Sequence, residues 1–258
     1  MTHVVITGAS RGLGAALALR FAAPGVRLGL IARSADGLAA TAEACGAQGA
    51  EVAVAALDVR DAVALAAVLT EWGQVRPIDV AIANAGVSGG TSPDGRPEGL
   101  EAATRQIAVN LVGAMNLVEP LWPAMVARGQ GRIALVASLA ALRGLPDIPA
   151  YAASKAGLRA YGEALRAGLG PRGVKVTVLC PGFFESDMSR RFRGGQPGAV
   201  PLDQAAARCH AAILAGRGRL SFPAHLAFGM RLLDLLPVGL SDLVARRIRC
   251  RVVPDERA

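Results

Sequence analysis

A β-branched run, HVVIT (residues 3–7), passes directly into TGASRGLG (7–14), and this junction constrains the fold more than any other stretch. Glycines at 8, 12 and 14 permit a tight turn and a close approach of backbone to a ligand. A helix starting near Gly12 would aim its N-terminal amides and the positive end of its dipole at a phosphate. Placed after the first strand of an alternating chain, such a turn is a dinucleotide signal. The chain does alternate. Runs at 3–7, 26–32, 51–57, 78–84, 131–138 and 174–180 read as buried strands, and segments 14–22, 35–48, 61–72, 100–127 and 150–169 as helices. This spacing predicts βαβ units, hence an α/β fold with a doubly wound, mostly parallel sheet and helices on both faces.

At 258 residues, with 52% hydrophobic and 19% charged side chains, the chain has ample material for one core and is not disordered. No linker rich in Pro, Gly and Ser separates two cores, so residues 1–258 are expected to form a single catalytic domain, with 219–258 as a C-terminal helical extension. The segment 88–99 reads as a long loop inside it. Cys45, Cys180, Cys209 and Cys250 lie far apart without C-x-x-C spacing, and His3, His210 and His225 are isolated. No metal site is expected, and the thiols suit a reducing, cytoplasmic setting. Neither a signal peptide nor a charge-free window of membrane-spanning length is present, so no transmembrane helix is predicted. The net charge of +8 fits an anionic small ligand, and no nucleic-acid partner is expected.

AYAASKAG (150–157) spends one of only two tyrosines four residues ahead of a lysine. On a helix Tyr151 and Lys155 share a face. An ammonium beside a phenol favours the phenolate, which predicts a lowered pKa and a tyrosine able to exchange a proton near neutral pH.

Taken in order, T-G-x-x-x-G-x-G at 7–14, NAG at 84–86 and Y-x-x-x-K at 151–155 resemble the short-chain dehydrogenase/reductase family in its compact single-domain form. Ser138, thirteen residues before Tyr151, matches that family's substrate-orienting serine. Asn110 matches its helix asparagine, and Pro181-Gly182 its turn after the sixth strand. The resemblance covers roughly residues 3–220 and implies a Rossmann fold and reversible hydride transfer. It casts Asn110, Ser138, Tyr151 and Lys155 as the catalytic set. Tyr151 would protonate a carbonyl oxygen, Lys155 would lower the tyrosine pKa and hold a ribose, and Ser138 would stabilise developing charge. Asn110 would hold a water linking Lys155 to solvent. The same resemblance implies cofactor contacts from Gly8, Ser10, Arg11, Gly12, Leu13, Gly14, Asp58, Val59, Asn84, Ala85, Gly86, Pro181, Gly182, Phe184 and Ser186, together with Tyr151 and Lys155. Where the family often reads PGxxxT, this chain reads PGFFES, so Ser186 takes the threonine's place and lacks its methyl.

NAD-selective relatives carry a carboxylate at the end of the second strand. Here Ala32 stands there, followed by Arg33, with Arg11 in the glycine-rich turn. Two guanidiniums and no carboxylate point to a 2′-phosphate and thus to NADP(H). The expected activity is NADPH-dependent reduction of a hydrophobic ketone or aldehyde, with the alcohol and carbonyl as small-molecule partners. An epimerase working through a transient ketone and a non-catalytic NADP(H)-binding sensor or scaffold remain open alternatives. Past residue 220, apolar clusters alternate with arginines, eight against four acids over residues 217–258. This segment either covers the substrate cleft or a subunit interface, or makes peripheral contact with the inner face of an anionic membrane. A homodimer or homotetramer is expected through the helices at 100–127 and 150–169. The stripe Leu158, Tyr161, Leu165 and Leu169 would serve either that interface or the core.

Overall fold

The computed structural model describes residues 2–253. In chain order, β1 (Thr2–Thr7), α1 (Gly12–Phe21), β2 (Val26–Ala32), α2 (Ala35–Gly46), β3 (Glu51–Ala56), α3 (Ala62–Val75) and β4 (Val80–Ala83) form the first half. Then come α4 (Gly99–Ile107), α5 (Gly113–Val118), α6 (Trp122–Ala127), β5 (Gly131–Val136), α7 (Pro149–Leu169) and β6 (Val174–Pro181). The last part holds α8 (Asp187–Arg190), β7 (Phe192–Arg193), α9 (Leu202–Leu214), β8 (Arg219–Phe222), α10 (Ala224–Leu235), α11 (Val238–Ala245) and β9 (Arg251–Val252).

Seven strands make one parallel sheet in the order β3-β2-β1-β4-β5-β6-β8. The central strands are covered on both faces, which is why β1 and β4 read as unbroken apolar runs. On one face Leu17, Phe21, Leu28, Cys209 and Ile213 pack together, bringing α1 and α9 over the sheet. On the other, Leu65, Leu69, Trp72, Leu117, Met125 and Leu158 bury α3, α5, α6 and α7. Gly29 in β2 is required there, because a Cβ would overlap the Trp72 ring. The stripe Leu158, Tyr161, Leu165 and Leu169 lies in this second core and is the inward side of α7.

The single helix expected over 100–127 is instead broken twice. A π turn at Ala108–Val112 widens the ladder, the Gly113 amide reaching back to Ala108 O. Pro120 then stops the helix, having no amide to continue the ladder and a ring that crowds the preceding turn. A seventh sheet strand, β8, lies at Arg219–Phe222, beyond the six strand runs expected from the sequence. The strand order reverses between β1 and β4, so their carboxyl ends open a crevice, the usual ligand position in such sheets.

Candidate active site

The crevice at that switch point is fixed by side chains from two strands. Thr7 Oγ1 accepts from the amides of Asn84 (3.1 Å) and Ala85 (3.2 Å), and Asn84 Nδ2 donates to the carbonyls of Thr7 (3.0 Å) and Gly8 (3.2 Å). The turn itself needs left-handed backbone at Gly8 (φ 68°) and Gly12 (φ 56°), which glycine adopts without strain. Gly14 acts differently from the expectation: it lies behind the cavity wall, where a Cβ would overlap Gly8 O. Arg11 precedes α1 in extended conformation, no side chain caps the helix, and no acid sits in its first turn. These free amides, beside the open face of Gly12, fit the phosphates of a dinucleotide.

Ser10, Arg11, Gly12 and Leu13 line one cavity of about 1930 Å³ together with Gly8, Arg33, Asp58, Val59, Asn84, Ala85 and Gly86. Ser138, Tyr151, Lys155, Pro181, Gly182, Phe184 and Ser186 line the same cavity. Its volume exceeds the ~300–1,000 Å³ of ordinary small-molecule pockets, room for a dinucleotide and a substrate. At the β2 end Arg33 is exposed and makes no hydrogen bond or ion pair among the described residues. Arg11 is bound to Asp187 at 3.3 Å across the mouth, both side chains more than half exposed. Asp58 is committed to its neighbour. The Arg60 guanidinium donates to both its oxygens at 2.8–3.1 Å, and this pairing holds the carboxyl below its ordinary value. Ser186 caps α8, its hydroxyl accepting from the Ser189 amide at 3.1 Å.

At the other end α7 presents Tyr151 and Lys155 one turn apart, 9% and 4% exposed. Ser138 follows β5, where its Oγ accepts from the Ala140 amide at 3.2 Å, and it lines the same cavity as Tyr151. Lys155 Nζ donates to Val136 O at 2.8 Å and lies 5.9 Å from the Tyr151 ring centroid. Burial pushes Lys155 down to about 8. Burial also pushes Tyr151 above the usual phenol value, the nearby Ser138 hydroxyl pulling the other way. The lowering expected from Lys155 does not appear: desolvation of the phenolate sets the direction, and Ser138, not Lys155, opposes it.

Asn110 stands in the π turn, fully buried behind this pair. Its Oδ1 accepts from the Val87 amide (2.8 Å), and its Nδ2 donates to Val87 O (2.9 Å) and Ser154 Oγ (2.9 Å). Ser154 in turn donates to Tyr151 O at 2.8 Å. The side chain thus ties the NAG loop to α7. A Cβ on Gly86 would meet Asn110 Oδ1 at 3.2 Å and Lys155 Nζ at 3.4 Å, so glycine there keeps the two close. Thr7 and Ser154 were absent from the sequence-predicted set, although Thr7 opens the T-G-x-x-x-G-x-G motif.

Beyond Tyr151 the walls turn apolar. Leu145, Ile148, Phe183, Phe192, Met230 and Ile248 line this part, so the C-terminal extension forms part of the cleft. Asp147, 4% exposed, fastens it: Oδ2 accepts from the Cys250 amide at 3.0 Å and Oδ1 lies 3.6 Å from Arg249. β9 pairs antiparallel with β7 and closes the same wall. No cluster of metal-ligating side chains occurs among the described residues.

A crevice at a sheet switch point, with a glycine-rich phosphate turn at one end and a Ser-Tyr-Lys cluster at the other, defines a nicotinamide-dependent oxidoreductase. The short chain dehydrogenase family profile matches residues 2–196, and the chain belongs to that family. An uncharacterized oxidoreductase of Myxococcus xanthus is 36% identical over 246 residues, covering 95% of this chain and 96% of the relative. A 3-dehydrosphinganine reductase of Arabidopsis thaliana is 35% identical over 253 residues, covering 93% of this chain and 75% of the relative. Among solved structures, a short-chain dehydrogenase from Sphingobium yanoikuyae in complex with NADPH superposes with a TM-score of 0.80 at 25% identity, covering all of both chains.

Proposed function

We propose that the protein is an NADPH-dependent reductase of hydrophobic ketones or aldehydes, working reversibly on the corresponding alcohols. One observation carries the reading: Ser138, Tyr151 and Lys155 line the cavity together at the junction between the polar dinucleotide crevice and an apolar chamber. A bound nicotinamide cofactor supplies the hydride. The Ser138 hydroxyl donates to the carbonyl oxygen and stabilises the charge that develops there. Tyr151 transfers its proton to the same oxygen as the alcohol forms. A phenol kept protonated by burial is suited to that acid role. Lys155, held by Val136 O beside the ring, stabilises the phenolate that remains and steadies the ribose. Asn110 fixes the loop and helix that carry these groups.

Arg33, exposed and without a hydrogen bond or ion pair among the described residues, supports recognition of a 2′-phosphate, and the apolar walls support a lipid-like carbonyl compound. One relative named for 3-dehydrosphinganine reduction agrees with that substrate class. Four free, buried cysteines suit the cytoplasm, and the cationic C-terminal segment suits peripheral contact with an anionic membrane. A homodimer or homotetramer through the α4 and α7 faces belongs to the same reading, with the exposed Leu100 and Val112 in support; light scattering tests it. The central test is turnover of a ketone and aldehyde panel with NADPH by the native chain and by Tyr151→Phe. The variant should bind NADPH normally and lose roughly 10²–10⁴-fold in rate. Near-native turnover would remove Tyr151 from the chemistry.

A further inference from the structure

The outer face of the C-terminal helix pair is apolar and cationic at once. Phe228, Leu232 and Leu235 recur at helical spacing along α10 and remain exposed, Leu235 at 81%. Val238, 75% exposed, and Leu240 and Leu243 continue that surface onto α11. A helix pair serving only as a cover would turn such side chains inward. The charges sort in the opposite way. Asp234 and Asp242, the acids of these two helices, both reach Arg143 on the inner side, at 3.7 and 2.8 Å. Arg231, Arg246 and Arg247 are exposed and make no ion pair among the described residues.

The same face meets the substrate chamber. Leu232 and Val244 are exposed on it and also line the cavity, with Leu226, Met230 and Leu233 behind them. The chamber therefore reaches the surface within the apolar patch.

We infer that this face docks on an anionic lipid surface and that the hydrophobic substrate enters the chamber from the bilayer beside Leu232 and Val244. The substrate half of the inference rests on the function proposed above. Exposed leucines at the α10–α11 turn can insert among acyl chains while the arginines meet lipid phosphates, the geometry of interfacial helices. A second copy of the chain fits the face poorly. A two-fold contact would set arginines against arginines, with both acids of α10 and α11 already engaged by Arg143.

Flotation of the full chain with mixed phosphatidylcholine–phosphatidylglycerol vesicles, and with phosphatidylcholine alone, tests docking without any turnover. The native chain should float with the anionic vesicles, less at high salt, and hardly at all with the neutral ones. Arg231→Ala and Arg246→Ala should each weaken partition roughly fivefold. The double variant Leu235→Glu, Val238→Glu should lose roughly tenfold or more. None of these four side chains lines the cavity. Turnover of a short water-soluble ketone should thus stay at the native level, while turnover of a long-chain methyl ketone carried in the vesicles should fall with binding. Absent flotation, or undiminished flotation of the double variant, would overturn docking. A native dimer that the double variant abolishes, with no vesicle binding, would overturn it and assign the face to a second copy. If flotation behaves as expected but no carbonyl compound turns over, docking stands and only the entry route falls with the proposed function.

Discussion

Replacing Arg33 by alanine isolates the choice between the two nicotinamide cofactors. Arg33 is solvent-exposed and has no ion pair or hydrogen bond to give up among the described residues, so nearly its full interaction with a 2′-phosphate would appear in binding. A charge-assisted hydrogen bond contributes about 1.5–3 kcal/mol, which is roughly 10- to 150-fold in Kd. Arg11 starts from a different position, because it must leave Asp187, 3.3 Å away, to reach the same phosphate. That pair is exposed and worth about 0–1 kcal/mol, so Arg11→Ala should cost up to about fivefold less than Arg33→Ala. Asp187→Asn should release Arg11 and tighten NADPH by up to about fivefold. Fluorescence titration of each variant with NADPH and NADH reads all three effects, NADH serving as the reference that lacks the 2′-phosphate. Equal weakening of both cofactors by Arg33→Ala, or a native preference for NADH, would refute the assignment.

Ketone reduction should decline as pH rises through about 8, because burial lowers Lys155 to that value and the ammonium is lost above it. A pH–rate profile that stays flat well above 8 would contradict this. Gly14→Ala places a methyl against Gly8 O and Asn84 Nδ2, an overpacking of about 1–3 kcal/mol. Its melting temperature should drop by several degrees and its NADPH affinity should fall with it, whereas unaltered binding would separate the turn's shape from cofactor recognition. His3 is buried, donates from Nδ1 to Arg76 O at 2.8 Å, and is held below its ordinary value of 6.5 mainly by desolvation. The unfolded chain then binds the proton more readily, so stability should fall as pH drops below 6.5. His3→Asn should flatten that part of a thermal-melt pH series, and an identical slope would exclude His3.

What was legible in the sequence is what a contiguous stretch encodes. β1, β2 and β4–β6 announced themselves as apolar or β-branched runs, because strands buried on both faces have no polar side to alternate. The glycine-rich turn, NAG and Y-x-x-x-K were readable because each acts within a few residues of chain. The break in the 100–127 helix was harder. Pro120 was visible, but the π turn that seats Asn110 follows from where its side chain must reach, 23 residues back to Val87 and 44 ahead to Ser154. Thr7 is the same kind of case, since its partners at Asn84 and Ala85 lie 77 and 78 residues away. The tyrosine pKa went against expectation for a related reason. Spacing places a charge near a phenol, whereas burial, which depends on the whole fold, decides which effect is larger.

The substrate end shows the limit most clearly, and Asp147 explains why. Its carboxylate is 4% exposed, and burying it unpaired would be costly. It is satisfied only when the C-terminal segment returns, Cys250 supplying an amide and Arg249 a cation from about a hundred residues downstream. The amide of Val252 then donates to Thr91 O at 2.9 Å, and that of Thr91 to Asp147 O at 2.7 Å. Loop 88–99, the segment before α7 and the extension are therefore fastened to one another, and the last two line the apolar chamber. The phosphate turn, by contrast, is held to the NAG loop by Thr7 and Asn84. Two independent fastenings let the phosphate turn keep its shape while the chamber changes size and lining with the C-terminal sequence. Under the proposed function, exchanging chamber residues such as Phe183, Phe192, Met230 or Ile248 should therefore change which carbonyl compounds turn over while leaving NADPH affinity at the native level, and a parallel loss of cofactor binding would contradict this separation.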